Sequence, residues 1–152
     1  MVKFSGEYVI PATREEVWVA LQDPQILQEC IDGCEEMTSL DTNEYESLVR
    51  VKLGPVRAKF RSIIRMLDVA PPESYTLAVN ARGGNAGFGI GQANVTLKPN
   101  EAGTTLCYEV TGSVSGKLAQ LGSRLFLSVA NKMASSFFTK FCARWATTQN
   151  TT

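Results

Sequence analysis

The sequence predicts an α+β fold in which a curved antiparallel seven-stranded sheet wraps around a long C-terminal helix. Three observations support this prediction. From Glu35 to Val114, apolar and polar residues alternate in successive segments, as they do in half-buried strands. Short turn sequences separate these segments, and such short connections join antiparallel neighbours. The last segment, from about 117 to 146, has helical periodicity and no proline, and a helix of that length spans roughly 45 Å.

The first strand and two short helices are predicted at the N-terminus. An alternating segment that ends at Pro11 is typical of a strand. Thr13 and Glu16 have the spacing of a capping box, which predicts the start of a short helix. Asp23 and Pro24 are a favoured N-cap and first-turn residue, so we expect a second short helix directly after the first.

Six further strands and the long helix complete the predicted domain. We expect a single domain over residues 1–146, followed by a polar C-terminal tail over 147–152. A sheet of this length has to curl, and the helix is long enough to cross its concave face. The predicted strands cover residues 35–40, 44–53, 56–68, 74–82, 87–98 and 104–114.

Composition limits the classes of function. The chain has 152 residues, of which 44% are hydrophobic and 20% charged, as in a globular protein. No stretch reaches the roughly 20 apolar residues of a membrane span, and the N-terminus has no signal-peptide pattern. We therefore expect a cytoplasmic protein, with peripheral contact at the inner face of the membrane as a further hypothesis.

The chemistry-bearing residues argue against a metal site and a histidine-dependent catalytic site. The sequence contains no histidine, which removes the commonest general base and the commonest zinc ligand. The four cysteines do not form a CxxC pair. We therefore predict no catalytic residues, no metal and no covalently bound cofactor. The cysteines are Cys30, Cys34, Cys107 and Cys142.

Charge is strongly segregated along the chain. Residues 1–46 carry 11 acidic and 2 basic side chains, and the remainder carries 4 acidic and 13 basic ones. Such segregation can orient a protein against an anionic membrane or an acidic partner, although a merely solvated sheet face is the alternative. No motif indicates nucleic-acid binding. The candidate docking residues are Arg50, Lys52, Arg57, Lys59, Arg61 and Lys117.

The glycine-rich segment near residue 89 suggests a hollow interior. The register of the following strand places Gly89 and Gly91 inward and Phe88 and Ile90 outward, unless a bulge reverses it. Because residues of the facing helix are also small, we expect an apolar cavity of ligand size with its mouth at this end. The alternative is that Phe60, Phe88 and Phe126 fill the space.

The candidate cavity residues come from the inward faces of the strands and of the long helix. Tyr75, Tyr108 and Ser62 could orient a polar head group, or could be ordinary core residues. The full candidate set is Val51, Phe60, Ser62, Ile64, Tyr75, Leu77, Val79, Phe88, Gly89, Val95, Tyr108, Val110, Leu118, Leu121, Gly122, Leu125, Phe126, Val129 and Met133.

Several motifs together resemble the family of the carbon monoxide dehydrogenase G subunit, within the helix-grip (START/SRPBCC) superfamily. They are "VIPATREEVWVALQDPQILQECIDGCEEM", "VKLGPVRAKF" and "GKLAQLGSRL", and the resemblance extends from Val2 to about Phe141. The family usually has proline where this chain has Asp32. Some members carry a C-terminal extension with a membrane anchor, which the printed sequence does not include.

The resemblance implies a START-like, helix-grip fold and an accessory role beside a carbon monoxide dehydrogenase or a related molybdenum hydroxylase. It also implies recruitment of that enzyme to the membrane and a bound quinone, or another lipid-like ligand, in the apolar cavity. We therefore expect a non-enzymatic binding protein. Two alternatives remain open at this stage: a cavity enzyme of the polyketide cyclase/dehydratase type, and a scaffold protein with a filled core.

Overall fold

The computed structural model describes residues 2–150, with side chains through residue 145. Seven strands form one antiparallel sheet in the order β1-β7-β6-β5-β4-β3-β2, so the predicted α+β fold class is confirmed. The strands are β1 (Val2–Ile10), β2 (Cys34–Asp41), β3 (Glu44–Leu53), β4 (Val56–Ala70), β5 (Ser74–Arg82), β6 (Phe88–Asn100) and β7 (Gly103–Ser115). The helices are α1 (Arg14–Leu21), α2 (Pro24–Cys30), α3 (Lys117–Gln120) and α4 (Ser123–Asn150).

Local capping explains where the two short helices begin. The Thr13 hydroxyl accepts a hydrogen bond from the Glu16 backbone N–H at 3.1 Å, and Glu16 Oε1 accepts one from the Thr13 N–H at 3.0 Å. These reciprocal bonds satisfy two otherwise unpaired donors of the first turn of α1. Asp23 caps α2 by a single hydrogen bond, which its carboxylate accepts from the Gln25 N–H at 2.9 Å. Both predicted caps are present.

The glycine-rich part of β6 keeps one continuous register. Gly89 lies opposite Ala81 of β5 and Val114 of β7, with no register shift along either pairing. Phe88 and Ile90 consequently project to the outer face, where they are 46% and 53% exposed. The bulge that the sequence left open as an alternative is therefore absent from β6. Because the register is continuous, Gly89 lies on the inner face, and this end of the inner face carries very small residues.

The predicted long helix is interrupted near its start. Gly122 has a φ of +84°, a left-handed conformation that L side chains rarely adopt, and it separates α3 from α4. The prediction of one helix from 117 to 146 was therefore wrong at its N-terminal end. At the other end α4 continues to Asn150, into the segment predicted as a polar tail, and residues 151–152 lie outside the described residues.

Two apolar clusters form the core. The larger cluster joins α1, α2, the C-terminal half of α4 and the adjoining sheet, and its most deeply buried residues include Ile10, Leu97 and Phe141. The smaller one, which we call the glycine-end cluster, contains Leu53, Phe60, Ala86 and Leu118.

Helix α4 crosses the concave face diagonally. Near its start, Leu125 lies close to Gly54 at the end of β3, and farther along the Cys142 thiol donates to the Val9 carbonyl of β1 at 3.7 Å. The two ends of α4 thus contact opposite sides of the sheet, at β3 and at β1. A cavity lies between the middle of α4 and the sheet. Among the described residues, none of the helices has the length and apolar character needed to cross a bilayer.

Candidate ligand cavity

An apolar cavity of about 340 Å³ lies beneath the middle of α4. Such a volume is at the lower end of the range of roughly 300–1,000 Å³ typical of small-molecule sites. A dry cavity of about 150 Å³ can already hold benzene, so this one has room for a bicyclic ring. Seven of the candidate residues line it: Ile64, Tyr75, Leu77, Val95, Tyr108, Val110 and Met133.

Sequence analysis missed part of the lining. Phe4 of β1, Leu27 of α2, Ile31 just after α2, and Phe137 and Phe138 of α4 also surround the cavity. The apolar alternation of β1 and the apolar periodicity of the helices were visible in the sequence. These sequence patterns do not show which apolar faces border a cavity, because the cavity depends on the distances of α2 and α4 from the sheet.

The hollow does not lie at the glycine end, where the sequence analysis placed it. Phe60 folds inward there, and a Cβ built on Gly83 would lie only 2.4 Å from the Phe60 ring. Phe60 and Leu118 are buried in the glycine-end cluster, and Val51, Leu121 and Val129 pack against it. One large aromatic ring therefore fills the space that the small residues leave.

The remaining candidate residues also lie outside the cavity lining. Phe88 is on the outer face of the sheet, because the β6 register continues without a bulge. Ser62 is buried on the inner face without being part of the lining, whereas Gly122 is exposed. The half-buried residues outside the lining are Val79, Gly89, Leu125 and Phe126.

Three tyrosines are the polar components of the cavity wall. The Tyr45 hydroxyl donates to the Gln22 backbone carbonyl at 2.9 Å. Tyr108 lies over Gly6, where an added Cβ would be 2.6 Å from its hydroxyl oxygen. Burial raises the pKa of Tyr45, Tyr75 and Tyr108, and the nearby Tyr45 raises that of Tyr75 further. All three phenols therefore remain protonated near neutral pH, as hydrogen-bond donors rather than bases.

The basic surface divides into paired and unpaired cations. Lys59 Nζ lies 3.1 Å from Glu35 Oε1, and Arg50 also pairs with Glu35. The hydrogen bond from Lys59, together with the charge of Arg50, lowers the pKa of the Glu35 carboxyl. Arg61 pairs with Glu46 at 3.3 Å. These three candidate docking residues are already partly neutralised by the acidic residues of β2 and β3.

The other three candidate docking residues have no ion pair among the described residues: Lys52, Arg57 and Lys117. Lys52 and Arg57 lie directly opposite each other in the β3–β4 hairpin, an arrangement of like charges that is unfavourable by itself. Arg57 and Lys117 border the same surface depression. These three unpaired cations of the candidate set therefore lie near the β3–β4 turn, with Lys117 contributed by α3.

The described residues show no metal centre. Among them, no group of three or more histidine, cysteine, aspartate or glutamate side chains is arranged to hold an ion. The cysteines are free thiols, and burial raises the pKa of each: Cys30, Cys34, Cys107 and Cys142.

Comparison with known proteins agrees with this architecture. A conserved protein from Geobacillus kaustophilus has a crystal structure with a TM-score of 0.89 to this one, at 34% identity and with 96% of each chain covered. Protein Ms6760 from Mycobacterium smegmatis shares the fold at 16% identity, with a TM-score of 0.70 and with 97% of this chain and 92% of that chain covered. TTHA0849 from Thermus thermophilus does so at 14% identity, with a TM-score of 0.69 and with 93% and 95% covered.

No curated protein matches the chain. The model of one family, that of the carbon monoxide dehydrogenase G subunit (CoxG), matches residues 6–145. This match includes β1 from Gly6 onward, all the later strands and most of α4. The chain therefore belongs to the CoxG family, the family of the carbon monoxide dehydrogenase G subunit.

Proposed function

We propose that this protein is a non-enzymatic accessory protein that binds a quinone-like apolar ligand in its cavity. In this role it helps to recruit or couple a carbon monoxide dehydrogenase-type molybdenum hydroxylase to the membrane. The observation that carries the proposal is the apolar cavity of about 340 Å³, whose wall contains no charged side chain. Membership of the CoxG family supports the choice of partner enzyme.

The chemistry of the lining favours binding over catalysis. Apolar side chains gain about 25 cal/mol for each Å² of surface that a ligand buries, so carbon-rich walls suit a ring or a hydrocarbon chain. General acid–base catalysis needs groups that titrate near the working pH. The titratable groups of the lining are Tyr45, Tyr75 and Tyr108, and burial keeps them protonated. A cyclase or dehydratase is therefore less well supported than a carrier.

A cavity-filling variant tests the carrier function. Ala130 lines the cavity from α4, and its replacement by leucine keeps a strong helix former while occupying the void. Menaquinone binding should fall sharply in Ala130→Leu, and the thermal midpoint should change little. The matched control is Ala143→Leu on the exposed side of the same helix, which should bind like the wild type. A filled-core scaffold would instead bind no menaquinone in any of the three proteins.

The coupling role needs a separate experiment. The purified molybdenum hydroxylase from the same source is mixed with this protein and with phosphatidylglycerol-containing vesicles, and the vesicles are then sedimented. The enzyme should sediment with the vesicles only when this protein is present. If the same amount of enzyme sediments with and without this protein, the protein does not recruit the enzyme to the membrane. That outcome does not bear on ligand binding in the cavity.

A further inference from the structure

Tyr75 is a buried residue whose hydroxyl keeps some accessible surface. It lies on the inner face of β5, opposite Val95 of β6, and is 6% exposed. Its side chain borders the cavity, and its hydroxyl has no hydrogen-bond partner among the described residues. Among the described residues, the unpaired side-chain polar atoms that are fully enclosed are Arg14 Nε and Gln22 Nε2, and the Tyr75 oxygen is not one of them. A donor on an apolar wall gains a hydrogen bond when a ligand brings an acceptor to it. The cavity therefore contains an uncommitted donor at a defined position.

The other hydroxyls nearby are committed or lie elsewhere. Tyr45 already donates its proton to the Gln22 carbonyl. Tyr108 lies flat over Gly6 with its hydroxyl beside Tyr8, at the β1 side of the sheet. Ser62 is not part of the lining. Within the described part of the chain, Tyr75 is thus the donor best placed to bind an oxygen atom of a ligand.

Tyr75 lies toward the closely packed end of the cavity. The ring of Trp18 on α1 packs edge-on against it at a centroid distance of 5.3 Å. The next inward-facing residues of β6 and β7, Leu97 and Leu106, are each 1% exposed. The wall is consequently closely packed beyond Tyr75, at the Trp18 end. In the opposite direction the lining continues through Leu77, Ala93 and Val110, which lie side by side on β5, β6 and β7.

We propose that the Tyr75 hydroxyl binds a neutral acceptor oxygen, of the carbonyl type, on an apolar ring. The oxygen-bearing edge of the ring then lies at the Trp18 end, and any apolar chain attached to the ring points away from Trp18. The volume of about 340 Å³ agrees with this orientation, because it accommodates a bicyclic ring and not a long chain as well. This inference rests on the proposed function, since it assumes that the cavity takes up a ligand.

The lining also discriminates against charged ligands. A carboxylate such as that of a fatty acid would be buried beside Tyr75 with no cationic side chain among the residues that border the cavity. Burial of an unpaired charge is far more costly than burial of a neutral carbonyl. A neutral carbonyl and a protonated phenol are, by contrast, complementary. The favoured ligand class is therefore a ring ketone or quinone rather than an acid.

A pair of matched ligands tests this assignment. Menadione and 2-methylnaphthalene share one bicyclic skeleton, and only menadione has carbonyl oxygens. Calorimetry should show that Tyr75→Phe binds menadione roughly tenfold more weakly than the wild type and binds 2-methylnaphthalene with unchanged affinity. Tyr45→Phe is the matched control, because the Tyr45 hydroxyl already donates to the Gln22 carbonyl. In this variant the ratio of the menadione affinity to the 2-methylnaphthalene affinity should equal that of the wild type. Equal effects of Tyr75→Phe on both ligands would overturn the assignment.

A second measurement covers the case in which Tyr75→Phe does not fold. On the wild-type protein, a hydrogen bond from Tyr75 should shift the infrared carbonyl stretch of bound menadione to lower frequency than in hexane. An unshifted stretch would overturn the role of Tyr75 and leave the carrier function standing. Failure of the wild type to bind either menadione or 2-methylnaphthalene would overturn both the carrier function and this inference.

Discussion

Asp32 and Lys140 form an ion pair that connects the segment after α2 to α4, with 2.5 Å between Asp32 Oδ1 and Lys140 Nζ. A second pair, Glu29 with Arg144 at 3.3 Å, lies on the same two elements. Leu27 and Ile31 border the cavity from this side. Both ion pairs therefore hold α4 against a wall of the cavity.

The first prediction concerns the pH dependence of this contact. Hydrogen bonds from Lys140 and then Ser136 lower the pKa of Asp32 from its ordinary value of 3.8. The stabilisation is therefore complete above about pH 3.8 and is lost as the pH falls through the lower value of the folded state. Asp32→Asn should reduce the free energy of unfolding at pH 7 by at most about 1 kcal/mol, because the pair is partly exposed. Urea unfolding at several pH values measures the difference, which should disappear in acid.

The second prediction concerns two phenylalanines that the sequence alone did not distinguish. Phe60→Ala should destabilise the protein by about 3–5 kcal/mol, because Phe60 is buried in the glycine-end cluster. Phe88→Ala should change the stability by less than about 0.5 kcal/mol, since Phe88 is 46% exposed. Thermal denaturation of both variants checks this contrast. Similar losses in the two variants would show that Phe88 also packs inside.

The third prediction concerns the backbone at Gly122. A Cβ added there would meet no atom within 4 Å, yet the φ of +84° is unfavourable for any L side chain. Gly122→Ala should therefore cost about 1 kcal/mol through backbone strain and not through overpacking. Gly89→Ala is the control, because its Cβ would make an ordinary contact of 3.5 Å with Val114. Chemical denaturation should find the control nearly neutral, and an equal loss in both variants would contradict the explanation.

The fourth prediction concerns membrane docking. If Arg57 and Lys117, the unpaired cations beside one surface depression, contact anionic lipid, the variant Arg57→Glu with Lys117→Glu should bind phosphatidylglycerol vesicles much more weakly. Each cation near such a surface contributes about 1 kcal/mol, and added salt should weaken wild-type binding as well. Lys98→Glu, an exposed change near the other end of β6, serves as the control in the sedimentation assay. Binding that is insensitive to salt and to the double reversal would exclude this surface.

Local interactions made much of this fold predictable from the sequence. The Thr13–Glu16 capping box, the Asp23 cap and the alternation along β4 and β6 involve residues close together in the chain. They identified the order of the elements and the faces of the strands. Alternation along β6 also predicted the outward position of Phe88 and Ile90, provided that the strand had no bulge, and the structure has none there.

The position of the cavity was decided only by the tertiary structure. Whether a void forms depends on the distance between α4 and the sheet and on the rotamers of single large side chains such as Phe60, and neither is encoded in a local pattern. The pairing of Lys59 with Glu35 likewise joins residues of different strands. The sequence by itself thus determined which residues are apolar, small or charged and on which face they lie. Packing over long chain distances decided which of them surround empty space and which remain unpaired.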